Sequence, residues 1–317
     1  MKILLWHVHG GWTDAFVRGR HQYLLPTTPD RGPWGLGRAG RNWPETVLEV
    51  SPEDLAGMDI DAVVLQRPEE LDFANRLTGR TPGRDLPAFY VEHNTPKPHA
   101  TNSVHPLAGQ NRIPIIHVTH FNRLYWDNGR APTVVIEHGI PDPGALYTGS
   151  REGLGVMINE PVRRWRITGT DLLPAFAGVA PIELFGIGGL ETAARLNLPA
   201  GRLIWKGDLP TADVHSKLAD NRAYLHTARW TSLGLSLLEA MFMAMPVIVV
   251  AATEACRAVP PDAGAVSDDL GELTEAAARF IAEPDYAAAC GRAARAAALE
   301  KYGLEMFLQR WDLVLGQ

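Results

Sequence analysis

The chain has 317 residues, enough for two domains at about 150 residues each. A net charge of −6, from 30 Lys and Arg against 36 Asp and Glu, excludes a nucleic-acid binder that works by bulk positive charge. With 46% hydrophobic and 21% charged residues the chain can build cores, and its two cysteines, Cys256 and Cys290, exclude a disulfide scaffold and fit a reducing compartment.

Lys2–Val8 is predicted as a short buried parallel strand that ends in Gly10-Gly11. The apolar start is too short for a signal peptide, and no run approaches the roughly 20 apolar residues of a membrane span. A cytoplasmic protein is expected, and peripheral membrane contact stays compatible with it. Thr13-Asp14 predicts a cap for a helix running to about Leu25. Residues 26–44 form a long Pro- and Gly-rich stretch containing Trp34 and Trp43, a kind of loop that is often functional. Strands are predicted at 62–66, 88–92, 113–119 and 133–137, with helices near 69–78 and 121–128. Residues 141–153 read as a linker. The alternation then restarts, with strands at 154–159, 181–186, 202–205, 222–226 and 246–251. Helices are predicted at 212–220, 235–245, 269–283 and 285–300. Strands alternating with helices mean an α/β chain with parallel sheets.

The most informative stretch runs from Thr231 to Val249. Gly234 breaks the chain, a helix starts at about Leu235, and a strand starts at Pro246. Free amides and the positive dipole end at a helix start make an anion site, and a glycine lets a phosphate come close. Ser236 adds a hydroxyl donor. Glu239 lies one turn on, on the same face, where a carboxylate can accept hydrogen bonds from vicinal sugar hydroxyls. Together they describe a site for a diphosphate attached to a ribose; an amphipathic helix with one exposed Glu would give the same pattern.

This stretch resembles the nucleotide-sugar signature of GT-B fold glycosyltransferases, specifically the retaining family 4, the group 1 type. Gly234, Leu235, Glu239, Ala240, Met241, Pro246, Val247 and Ile248 match it in order and spacing. Other pieces fit in chain order over nearly the whole length. Gly10 and Gly11 resemble the glycine loop whose amides face the donor phosphates. Tyr90-Val-Glu92-His93-Asn94 resembles the strand end that presents a His near the transferred sugar. Arg163 and Arg164, with Thr168-Gly169, resemble the basic segment at the pyrophosphate. Lys206 to Pro210, with Leu209, resembles the border of the nucleobase, and the end of the chain resembles a helix crossing back to the first domain.

The resemblance implies an α/β GT-B fold, two Rossmann-like domains with parallel sheets facing across a cleft. Residues 1–150, plus the crossing helix 301–317, would form the acceptor-side domain, and 151–300 the nucleotide-sugar domain. The implied reaction moves a sugar from a nucleoside-diphosphate sugar, UDP or GDP foremost, to an acceptor, with retention and without a metal or other cofactor. His93 and Thr231 stand at the implied catalytic positions. Gly10, Gly11, Arg163, Arg164, Lys206, Leu209, Gly234, Leu235, Ser236 and Glu239 are the implied donor contacts. Trp12, Trp34 and Trp43 stand on the acceptor side, and for Trp34 and Trp43 a core anchor and a sugar-stacking platform are both open.

Two departures matter. Thr231 stands where the family has the first Glu of its pair, and Thr168 where it has a Lys; a nearby arginine can replace the lost cation. They also define an alternative, a catalytically silent protein that binds a nucleotide or a partner enzyme. The pair His7-x-His9 would share a face on a continued strand, but no third metal ligand stands at a diagnostic spacing. The sequence names neither an acceptor nor an oligomeric state.

Overall fold

The computed structural model describes residues 1–316. It contains two compact units, Met1–Pro141 together with the segment from Leu304 on, and Asp142–Gly303. Each unit is built on one parallel sheet.

In the first unit the strands are β1 (Lys2–Leu5), β2 (Gln22–Pro26), β3 (Val47–Val50), β4 (Ala62–Leu65), β5 (Ala88–Glu92), β6 (Ile115–His117) and β7 (Thr133–Val135). Their order is β3-β2-β1-β4-β5-β6-β7, all neighbours parallel. Helices α1 (Gly10–Phe16), α2 (Glu70–Thr78) and α3 (His120–Tyr125) lie between strands. Side chains alternate along each strand, yet both faces are buried. Ile3, Leu5 and Val64 enter one core, while Leu4, Val63 and Leu65 enter the other. That is why the strands read as continuous apolar runs.

The second unit holds β8 (Arg151–Met157), β9 (Ile182–Phe185), β10 (Leu203–Gly207), β11 (Asn221–His226), β12 (Val247–Val250) and β13 (Gly264–Ser267), in the order β10-β9-β8-β11-β12-β13. Its helices are α4 (Pro161–Thr168), α5 (Leu173–Val179), α6 (Thr192–Arg195), α7 (Thr211–Leu218), α8 (Leu235–Phe242), α9 (Ala255–Ala258), α10 (Leu270–Ala282) and α11 (Pro284–Tyr302). The last helix, α12 (Leu304–Val314), belongs to the first unit. It sets Phe307 and Trp311 into the core beside Trp12 and Phe16, with Trp311 edge-on to both. Among the described residues no helix is long and apolar enough to cross a membrane.

The helix expected from Thr13 to Leu25 is not there. α1 starts earlier, at Gly10, and ends at Phe16; Tyr23, Leu24 and Leu25 form the buried strand β2. A contiguous apolar run buried on both faces is a parallel-strand signature that the cap-like Thr13-Asp14 masked. Strands β3 and β13 were also missed; both are only four residues long.

The stretch 26–44 is a tied loop. Thr27 bridges Leu36, Arg67 donates to the Pro33 carbonyl, and His7 Nδ1 lies 2.9 Å from the Gly37 carbonyl. Trp43 Nε1 donates to Asp14 Oδ1 at 2.7 Å. Asp14→Ala leaves that indole N–H without its acceptor. The expected cost is about 1–3 kcal/mol, read as a lower melting temperature together with faster proteolysis confined to residues 26–44. Unchanged proteolysis there would show that the bond does not hold the loop.

Candidate functional site

Open parallel sheets bind ligands beyond the carboxyl ends of their strands, where the strand order reverses. In the first unit that point lies between β1 and β4. β1 ends at Leu5, so His7 and His9 lie beyond the strand and do not share a face as its continuation would require. His7 turns to the Gly37 carbonyl and the Trp43 ring, whereas His9 packs on His93 with ring centroids 4.0 Å apart.

His93 follows the end of β5. Its Nε2 lies 3.1 Å from Gln66 Oε1, beyond β4, and the edge of Trp12 and the ring of His138 flank it at 5.2 and 6.5 Å. Burial holds this histidine group neutral. His9 is lowered to about 4 and His138 to about 3, and His93 lies well below the ordinary range, with the neighbouring imidazoles adding to the effect of burial there. Neutral imidazoles can both donate and accept hydrogen bonds, which suits hydroxyl ligands. Glu92 shapes the turn beneath: its Oε1 accepts from the Asn94 backbone N–H at 2.6 Å, and its Oε2 lies 3.2 Å from His105 Nε2.

Gly10 opens α1 with Gly11 beside it, and a Cβ on Gly10 would collide with the Arg41 guanidinium. The tryptophan expectations need correction. Trp12 is 1% exposed and Trp43 3%, so both are core residues with no face left for a sugar. Trp34 is half-buried. The Arg67 guanidinium lies 3.7 Å from its ring centre and Phe73 packs at 4.3 Å.

In the second unit the strand order reverses between β8 and β11. β11 ends at His226, and the following loop leads to α8, whose cap is Gly234 with no side-chain cap. The first-turn amides of α8 have no intrahelical acceptor by helix geometry. A Cβ on Gly234 would strike the His226 ring, which explains why glycine stands there. Ser236 Oγ accepts from the Tyr224 hydroxyl at 2.9 Å and keeps its own proton to donate. Glu239 lies one turn further, its carboxylate 24% exposed and 3.2 Å from His215 Nε2 on α7. Gly234, Leu235, Ser236 and Glu239 therefore do come together on one helix start.

The cationic partners sort differently from expectation. Arg163 is held by Glu160, and Arg166 by Asp171 at 3.1 Å. Arg164 is half-buried and makes no ion pair or side-chain hydrogen bond among the described residues; burial, then the charge of Arg163, lowers its affinity for the proton. The Lys206 ammonium is committed to Glu183 at 3.2 Å, within a cluster that includes Arg151 and Asn221 at the start of β8 and β11. That removes Lys206 from the expected donor contacts. Leu209 stays in the loop after β10, half-buried. Thr168 is buried, its hydroxyl shared with the Trp165 carbonyl and Thr170. Thr231 lies half-buried in the β11–α8 loop with its hydroxyl unbonded among the described residues. Sequence reasoning weighed His9 only as a metal ligand beside His7, and gave Gln66, His138, His215 and His226 no site role. The one available signal was the density of histidines at predicted strand ends.

Residues 189–297 match the model of the family described as Glycosyl transferases group 1. That span contains β10 to β13, α8 and the Gly234–Glu239 turn. No curated protein matches the chain significantly. Among solved structures, HepE of Anabaena in complex with UDP and glucose superposes with a TM-score of 0.75 at 17% identity, covering 100% of this chain and 99% of that one. Sucrose-phosphate synthase of Thermosynechococcus elongatus gives 0.70 at 15%, covering 99% and 98%. TarM of S. aureus gives 0.66 at 17%, covering 81% of this chain and 55% of TarM, so the chain spans about half the length of that protein. The two parallel-sheet, Rossmann-like halves are those of the GT-B fold.

Proposed function

We propose that this GT-B chain, matched over residues 189–297 to glycosyl transferases group 1, moves a sugar from a nucleoside-diphosphate sugar to a hydroxyl acceptor. The observation that carries the reading is the α8 start. Gly234 admits a close anion, the first-turn amides and the Ser236 hydroxyl can donate to a diphosphate, and Glu239 stands where a ribose diol would follow. UDP is the first nucleotide to test, because HepE was solved with UDP-glucose. GDP is the second.

The second unit would hold the donor, with Arg164 as the free cation toward the diphosphate. The first unit would receive the acceptor at the neutral histidines around His93. The chemistry we favour needs no protein nucleophile and no metal. The leaving diphosphate is stabilised by amides and a guanidinium, and with retention the donor phosphate itself takes the acceptor proton.

Calorimetric titration with UDP, GDP, ADP and dTDP tests the reading. One of them should bind, and Glu239→Gln should weaken it about 10- to 100-fold, the worth of charged hydrogen bonds to a diol. Failure of every nucleotide to bind at millimolar concentration would sink the donor site.

A specific observation also favours a second reading, nucleotide binding without turnover. Thr168 and Thr231 are neutral, and Arg163 and Arg166 are spent on carboxylates. In that case the wild type releases no sugar from any donor it binds, while the Thr231→Glu, Thr168→Lys double variant does. Turnover by the wild type eliminates this reading.

A further inference from the structure

The loop over residues 26–44 and the nearby Glu49 enclose an open hollow of about 630 Å³ in the first unit. Its polar lining is Arg31, Arg38, Arg41, Asn42 and Glu49. Three guanidiniums face one carboxylate, an excess of positive charge on a chain whose net charge is −6.

The three arginines have different tasks. Arg31 is neutralised by Glu49 through two hydrogen bonds. Arg38 donates to the backbone carbonyls of Trp43, Pro44 and Val47, so its guanidinium fixes the loop. Arg41 does neither. Its guanidinium makes no hydrogen bond and no ion pair among the described residues, and the Asn42 side chain makes none either. Arg41 nevertheless has a defined place. It lies against the Gly10 backbone, in space that a Cβ would fill, and 5.9 Å from the Trp43 ring centre. Trp43 is itself buried and anchored to Asp14. The loop therefore carries an uncommitted fork of donors to the start of α1, at Gly10, directly after His9, whose ring packs on His93.

We propose that this hollow binds the phosphate monoester of an acceptor, with Arg41 as the binding residue and Asn42 as a neutral donor beside it. A phosphate monoester is close to a dianion at neutral pH, and two excess positive charges in the lining match it better than a single carboxylate. A guanidinium grips two phosphate oxygens at once. The proposal rests on the reading that the first unit receives the acceptor.

The test is phosphorus NMR line broadening and calorimetry on the full chain, with inorganic phosphate and glycerol phosphate as probes. Any nucleoside diphosphate that binds the α8 site is present at saturation. The wild type should bind glycerol phosphate. Arg41→Gln should weaken it about tenfold or more, Arg41→Lys should retain part of the affinity, and Glu239→Gln should leave it unchanged. Arg41 is exposed, so these variants should keep the wild-type melting temperature. Recruitment to vesicles containing phosphatidic acid, lost in Arg41→Gln, would assign the same monoester to a lipid headgroup. Absence of phosphate binding, or binding that Arg41→Gln does not change, overturns the proposal. The two readings fail separately: Arg41-dependent phosphate binding without nucleotide binding removes the transferase reading alone, and the converse removes this one alone.

Discussion

Gly169→Ala is expected to lower the melting temperature steeply and to abolish nucleotide binding, whereas Gly178→Ala should do neither. Gly169 closes α4 with φ +68° and ψ 26°, a left-handed conformation that costs an alanine about 1–2 kcal/mol. The larger cost is spatial. A Cβ there would collide with the Thr227 carbonyl oxygen and lie 2.7 Å from its carbon, and those backbone atoms cannot rotate away. Thr227 is the residue that docks this turn, donating from Oγ1 to the Thr168 carbonyl at 2.7 Å. Two residues later the Arg229 and Trp230 amides bond the Ile167 carbonyl. The loop that carries Thr231 and ends at Gly234 thus hangs on the α4 turn. Relief of the clash must displace it, and the first turn of α8 follows. The total should exceed about 3 kcal/mol, in the range of single changes with a named backbone clash. Gly178 is exposed on α5 with nothing within 4 Å of an added Cβ, so alanine there should be neutral or slightly stabilising. A Gly169→Ala protein as stable as wild type would show that the α4 turn does not support the β11–α8 loop.

The proposed donor site on α8 was legible in the sequence because its chemistry is local. A glycine cap, a hydroxyl and a carboxylate within six positions of one helix start need only helix periodicity to be brought together, and Gly234, Ser236 and Glu239 are so placed. The strands were legible for the same reason, since burial on both faces leaves unbroken apolar runs. What failed depends on distant partners. Lys206 reads as a cation beside a nucleobase, but Glu183, 23 residues earlier, claims it. Trp12 reads as an acceptor contact, and Trp43 stays open between core anchor and sugar platform, until α12 and Asp14 are in place. His138 joins His9 and His93 across more than 40 positions, a distance over which no periodicity operates. The residues 13–25 show a local signal overridden: Thr13-Asp14 has cap chemistry, yet the β1–β2 pairing decides the conformation of Gln22–Pro26.

Stability should fall sharply as pH drops from 6.5 toward 4.5, and the slope should come from histidines. Burial lowers His9, His117 and His226 from 6.5 to about 4, and His138 to about 3. His93 is lowered further than the ordinary range by the same cause. Between 6.5 and 4.5 the unfolded chain therefore binds protons on these rings while the folded chain does not. Each ring then favours unfolding as pH falls, by up to about 1.4 kcal/mol per pH unit. Above 6.5 neither state is protonated at these sites, and they contribute no slope. The window also lies above the ordinary carboxylate range, which separates the histidines from the acidic groups except Glu70, whose carboxyl burial pushes up. Thermal unfolding between pH 8 and 4.5 should show a plateau and then the fall, and His138→Gln should reduce the slope by roughly one proton. A melting temperature constant down to pH 4.5 would mean that these rings are not buried neutral. Because burial moves protonation of the folded state to about pH 4 and below, the imidazoles around His93 stay neutral in the folded chain over the upper part of this window. If the proposed glycosyl transfer is observed, its rate well below the melting temperature should be insensitive to these rings between pH 6.5 and 5, and acid inactivation should track unfolding instead of titration of the site.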